Sequence, residues 1–120
     1  MEILVKILIG CIALLHLYIL VLEMFLWTTR GPKVFRSFPK DLFAPTKAMA
    51  ANQGLYNGFL AAGLLWSLLV SDIFWSKNIA LFFLGCIAIA GIYGAYSASK
   101  KILFIQTLPA LIAIIAVLAI

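Results

Sequence analysis

The sequence predicts an all-α, polytopic membrane protein, a bundle of four transmembrane helices with both ends outside, and three observations predict it. The first is composition. Of 120 residues, 66% are hydrophobic and 11% charged, with a mean hydropathy of +1.18, whereas a soluble domain is about 45–50% apolar and about 25% charged. Too few polar groups remain to cover a water-facing surface, which excludes a soluble globular domain and, for the same reason, a disordered chain. The second is segmentation. A spanning helix needs about 20 mainly apolar residues, and four stretches qualify, at about 3–27, 49–70, 78–98 and 102–120. The third is that runs such as Leu111 to Ile120 do not alternate between apolar and polar residues, which excludes a β-barrel.

The first segment opens with Glu2 and Lys6 and has the look of a signal peptide. Its apolar stretch is too long for one, and no small-x-small site precedes Trp27, so an uncleaved anchor is expected. The connection 28–48 holds Pro32, Pro39 and Pro45, which stop any continuous helix. In it Phe35, Phe38, Leu42 and Phe43 interleave with basic residues, the pattern of a segment lying on an anionic leaflet, with a lid over a site as the alternative. Gly54, Gly58, Ala61 and Ala62 run along the second helix, and Gly85, Ala88, Gly91 and Ala95 along the third. Small residues of this kind let backbones approach closely in lipid. The fourth helix carries only Gln106 and Thr107 as polar side chains. No internal repeat divides the chain, which reads as one domain, 1–120.

Orientation follows from the short loops, because Lys and Arg concentrate on the cytoplasmic side. The first loop holds Arg30, Lys33, Arg36, Lys40 and Lys47 against Asp41, and the third, 99–101, holds Lys100 and Lys101. The second has only Asp72 and Lys77. Loops 28–48 and 99–101 are therefore expected in the cytoplasm and both termini outside a cell membrane. The net charge of +5 has no soluble domain to sit on, so the bilayer, and no nucleic acid, is the expected partner.

With that orientation, nearly every polar group of the spans falls in the cytoplasmic leaflet. Glu23 lies four residues before Trp27, about 6 Å inside the boundary, and the second helix enters from the same side with Asn52, Gln53, Tyr56 and Asn57. Asn52 with Tyr56, and Gln53 with Asn57, are i, i+4 pairs on one broad face. Tyr93 and Gln106 lie near the same end of the third and fourth helices, while His16 sits mid-span, about 10 Å along the helix from Glu23. An ionisable residue inside a membrane marks a site by default, although amides and hydroxyls also serve as bonds between helices. One His and two distant Cys do not supply the roughly four ligands of a zinc site, so no metal is expected, and no cofactor is named by the residues.

Several of these residues carry a resemblance. Glu23 with Trp27, the run Asn52-Gln53-Gly54-Leu55-Tyr56-Asn57-Gly58-Phe59-Leu60-Ala61-Ala62-Gly63-Leu64, then Ala90-Gly91-Ile92-Tyr93-Gly94-Ala95, and Gln106 before Pro109-Ala110 resemble the small bacterial membrane proteins called domain of unknown function 1304, over almost the whole chain. That resemblance implies no activity. More distantly, the order of elements is similar to the membrane-associated eicosanoid and glutathione metabolism proteins, whose trimers hold sites between subunits. Their second-helix pattern maps onto Asn52 and Tyr56, but Ala48 and Leu55 stand where that pattern has Arg and Glu. Those two departures remove groups that hold glutathione in that family. Membrane styrene oxide isomerase also has this four-helix plan with a haem, and its His has no counterpart among Ala48 to Asn57.

The expectation is a homo-oligomer, a trimer by the resemblance, whose polar pocket in the cytoplasmic leaflet binds a small amphipathic or lipophilic molecule. Were the pocket to convert that molecule, Glu23 would be the acid or base and Tyr56 and Tyr93 the donors to a developing oxyanion. Asn52, Gln53, Asn57, Gln106, Trp27 and His16 would bind and orient. The other readings are a transporter or channel subunit with a Glu23 and His16 relay, and a structural protein without catalysis.

Overall fold

The computed structural model describes all 120 residues, Met1 to Ile120. The chain is all-α, and two of its helices, Ile3–Phe25 and Ile73–Ser97, are long and apolar enough to cross a membrane. Helix α1, Ile3–Phe25, follows from an apolar run without proline in which only Lys6 and Glu23 are charged. It buries Val5, Ile9, Ile12, Ala13 and His16 on one stripe, the i, i+3, i+4 pattern of a single helix face. The helical backbone runs on through Leu26, whose carbonyl accepts from both the Arg30 and Gly31 N–H groups (2.9 and 3.0 Å), and Pro32 follows. This double bond to one carbonyl closes the helix end.

The connection is more structured than its prolines suggest. A single-turn helix α2, Gly31–Val34, starts on Pro32, and a 3₁₀ turn, Lys40–Leu42, follows Pro39. Helix α3, Lys47–Leu69, then begins two residues earlier than expected. Its first half carries Asn52, Gln53 and Asn57, which lower its apolarity and set it apart from α1.

Helix α4, Ile73–Ser97, starts five residues before the expected Asn78. Asp72 is the cause: its carboxylate accepts from the Trp75 N–H at 2.9 Å, an N-cap that carries the helix through Ser76 and Lys77. The Gly94 carbonyl ends α4 by accepting from the Ala98 and Ser99 N–H groups. A π-helical segment, Leu103–Thr107, precedes α5, Leu108–Ala119. Pro109 has no N–H to offer the Ile105 carbonyl, and the Leu108 N–H reaches back five residues to Leu103, so the fourth apolar stretch opens with a wide turn.

The chain gathers into two compact units, Leu14–Ala61 and Met1–Ala13 with Ala62–Ile120. In the second of these, Ser76 donates to the Ser67 carbonyl (2.7 Å), Ser67 to the Leu64 carbonyl (2.6 Å) and Thr107 to the Ala88 carbonyl (3.2 Å), all buried. Gly63 faces the Phe83 ring, and Gly91 faces the Thr107 hydroxyl and backbone, with no room for a side chain at either. Gly85 has open space instead.

These two kinds of glycine predict opposite outcomes. Gly91→Ala should lower the thermal midpoint in detergent by an amount equivalent to about 1–3 kcal/mol, since Thr107 backbone must move. Gly85→Ala should leave the midpoint unchanged or raise it by up to about 1 kcal/mol, the gain in helix propensity. Equal effects at the two positions would show that the α4 contact with Leu103–Thr107 is not close-packed.

Candidate functional site

The site is built in the unit Leu14–Ala61, where α3 lies against the end of α1. Gly54 and Gly58, one turn apart, make this possible. A Cβ on Gly54 would come within 2.8 Å of Met24 Cγ and 3.0 Å of Glu23 Cβ, and one on Gly58 would strike the Leu20 side chain. The bare α3 backbone therefore rests on Leu20, Glu23 and Met24, as small residues spaced by four allow.

That approach brings Asn57 to Glu23. The Asn57 Nδ2 donates to Glu23 Oε1 at 2.8 Å and to the Gln53 carbonyl at 3.1 Å, one turn back on its own helix. The amide is thus braced by α3 while it holds one oxygen of the carboxylate. Both residues are half-buried, and the second carboxylate oxygen has no hydrogen-bond partner in the chain. An anchored carboxylate with one open oxygen can accept a hydrogen bond from a ligand, pair with a cation, or take up a proton.

The remaining candidates divide. Trp27, one turn beyond Glu23, is fixed from two sides. Its Nε1 donates to Thr46 Oγ1 at 3.0 Å, and Phe35, Phe38 and Phe43 pack on its ring with centroids 5.4, 5.8 and 4.9 Å away. Phe43 is buried and lies within about a van der Waals distance of any Cβ at Gly31. Phe35, Phe38 and Phe43 are thus gathered with Trp27 into one cluster beside the site.

Asn52 and Gln53 are exposed, and the Asn52 amide bonds back to the Ala48 carbonyl at 3.2 Å. Tyr56 is exposed with its ring 6.3 Å from that of Phe59. Neither Asn52 nor Tyr56 bonds Glu23. His16 is fully buried, two turns before Glu23 on α1. Tyr93 and Gln106 belong to the other unit, where Tyr93 is exposed on α4 and its carbonyl accepts from Ser97, and Gln106 lies in the π-helical segment.

Two features lay outside the expected set. Leu20 and Met24 form the floor on which Gly54 and Gly58 rest, a role the small-residue pattern announces only for α3. Tyr18 is the other: Arg30 Nε donates to its hydroxyl at 2.8 Å, and the guanidinium lies 5.9 Å from its ring centroid. No local spacing links residues 12 apart across a helix end.

Comparison with known proteins adds family and no chemistry. The profile of the family described as Protein of unknown function (DUF1304) matches residues 10–118. The chain is similar to YpaA, an uncharacterized protein of Lactococcus lactis subsp. lactis (strain IL1403), at 31% identity over 117 residues, 96% of this chain and 97% of that one. No solved structure matches.

The geometry predicts an asymmetry between the two partners. Asn57→Leu leaves a half-buried carboxylate without its donor and should destabilise by about 1–3 kcal/mol, read as a lowered thermal midpoint. Glu23→Gln keeps an acceptor for Asn57 Nδ2 and should cost less. A larger loss in Glu23→Gln than in Asn57→Leu would overturn this assignment of donor and acceptor.

Proposed function

The chain belongs to the DUF1304 family, and from that premise we propose that it is a four-span integral membrane protein whose Glu23–Asn57 pair binds the polar end of a small amphipathic molecule at the cytoplasmic leaflet. The single observation that carries the reading is the carboxylate held by Asn57 with its second oxygen open. A residue serving only to join two helices would have no need of a charged group, since a neutral amide there would bond Asn57 as well. In a membrane such a group is retained at a cost, and a ligand donor or cation offsets it.

Topology supports the same reading. Besides α1 and α4, α3 is 23 residues long, and Leu103–Ala119 is a shorter apolar stretch. With the basic loops inside, four passes put both termini outside. The bond between Glu23 and Asn57 levels α1 with α3, so Asn52 and Gln53 lie about 6–8 Å nearer the cytoplasm than Asn57. They then flank Trp27 at the boundary, where polar groups meet headgroups and water at little cost. Glu23, Asn57 and Tyr56 lie one step deeper, on the path of a molecule whose polar end enters from that side. The partner is a second copy of the chain, in a homo-oligomer.

Two measurements test this. In a variant lacking Cys11 and Cys86, a cysteine at Lys40 should resist a membrane-impermeant maleimide added to intact cells, and one at Ser71 should react; the reverse pattern overturns the orientation. Native mass spectrometry from mild detergent, with an absorption spectrum of the same sample, should show an oligomer carrying a small molecule that Glu23→Gln loses without dissociating. A ligand-free wild type, or a ligand retained by Glu23→Gln, overturns the binding reading.

A further inference from the structure

Helix α4 and the stretch that follows it enclose an apolar groove, and the close contact between them is what forms it. Gly91 lets Thr107 come against α4, where the Thr107 hydroxyl donates to the Ala88 carbonyl. The neighbouring side chains stand on either side of that contact, Ile92 from α4 and Leu103, Phe104, Leu108 and Leu111 from the π-helical segment and α5, with Thr107 as the floor. The groove holds about 260 Å³. Thr107 is its one polar side chain, and its hydroxyl proton is already engaged. A polar molecule finds no partner there, so the groove accepts hydrocarbon.

Charge marks one end of it. Lys100 and Lys101, both exposed, lie immediately before the residues that open the groove at Leu103. From Ile73 to Ile120 the chain contains no Asp or Glu, so neither α4 nor the stretch packed on it supplies an anion to balance the pair. Leu103 to Leu111 extends about 12 Å, within the roughly 15 Å of hydrocarbon in one leaflet. An occupant that is apolar over that length and anionic at the lysine end satisfies both observations. We propose that the groove binds one acyl chain of an anionic phospholipid of the cytoplasmic leaflet, with the lipid phosphate at Lys100 and Lys101.

The proposal rests on the orientation given above, which puts residues 99–101 at the cytoplasmic boundary and the groove just inside it. The Glu23 site lies in the other unit and shares none of these residues. A second copy of the chain is a poorer occupant. Two copies meeting groove to groove about a two-fold axis along the membrane normal would bring their lysine pairs together at one level, like charge against like charge.

The test places one fluorophore in the groove, Phe104→Trp in a full chain that also carries Trp27→Phe, Trp66→Phe and Trp75→Phe. A companion chain keeps Trp66 of α3 as its only tryptophan. Each is reconstituted in phosphatidylcholine vesicles and titrated with acyl-brominated phosphatidylglycerol or acyl-brominated phosphatidylcholine. Quenching at position 104 should favour phosphatidylglycerol by about fivefold for each lysine engaged. Lys100→Gln combined with Lys101→Gln should bring that ratio to about one, and Lys77→Gln should leave it unchanged. Trp66 should be quenched equally by the two lipids. The wild-type chain gives an independent reading: in native mass spectrometry with equal amounts of the two unbrominated lipids, phosphatidylglycerol adducts should predominate, and the double lysine variant should lose that excess.

Equal quenching by the two lipids at position 104, the same preference at Trp66, or equal adducts on the wild-type chain would overturn the site while leaving the membrane reading intact. Quenching of Trp66 with position 104 shielded from both lipids would show that protein covers the groove and would overturn the lipid as its occupant. Absence of quenching in both chains would overturn the membrane reading and the site with it.

Discussion

Close backbone approach at Gly54 and Gly58 is the constraint on which the site depends. A carboxylate on one helix and an amide on another meet at 2.8 Å only if the helix axes are nearer than most side chains permit. The two glycines provide that nearness because each faces Leu20, Glu23 or Met24 with nothing beyond its α-carbon. In water such an approach would be driven by burial of apolar surface. In the membrane setting proposed above that drive would be absent, and packing together with the hydrogen bond itself would hold the helices. The same residues that make the contact possible therefore also set the position of the one acidic group within α1.

The fourth apolar stretch meets α4 by a related device. Gly91 leaves room for Thr107, whose hydroxyl reaches the Ala88 carbonyl, and the wide turn before Pro109 is what carries Thr107 there. A carbonyl on α4 that already accepts within its helix takes this second donor on its other lone pair. The π-helical segment is a consequence of proline placed where an N–H was wanted, and the fold uses it to plant a buried cross-helix bond.

How much of this was legible in the sequence depended on whether the cause was local. Four apolar stretches and the all-α class follow from composition and length, and Glu23 and Asn57 stood out as polar groups in apolar surroundings. The start of α4 was missed although its signal was local: hydropathy discounts Trp75 and Lys77, whereas Asp72 three residues before Trp75 is a cap that overrides them. The bond between Glu23 and Asn57 spans 34 residues and needed the register of two helices, which no spacing rule supplies. The aromatic cluster on Trp27 was hidden for another reason. Phe35, Phe38 and Phe43 read equally well as interfacial side chains, and only the fold of the loop around Gly31 turns them inward.

The polar residues sort by what their atoms are already doing, and that sorting locates function better than their number does. Ser67, Ser76 and Thr107 are buried and spend their hydroxyl protons on main-chain carbonyls, so they act as connections within the fold. Asn57 spends its Nδ2 on two acceptors and is best understood as the brace of Glu23. Glu23 and Arg30 are different, because each makes one bond to a neutral neighbour and keeps further bonding capacity. A single bond of that kind orients a charged group without cancelling it. One acidic group in the last turn of α1 and one basic group just beyond its end are each oriented by a single bond and keep atoms free for a partner outside the chain.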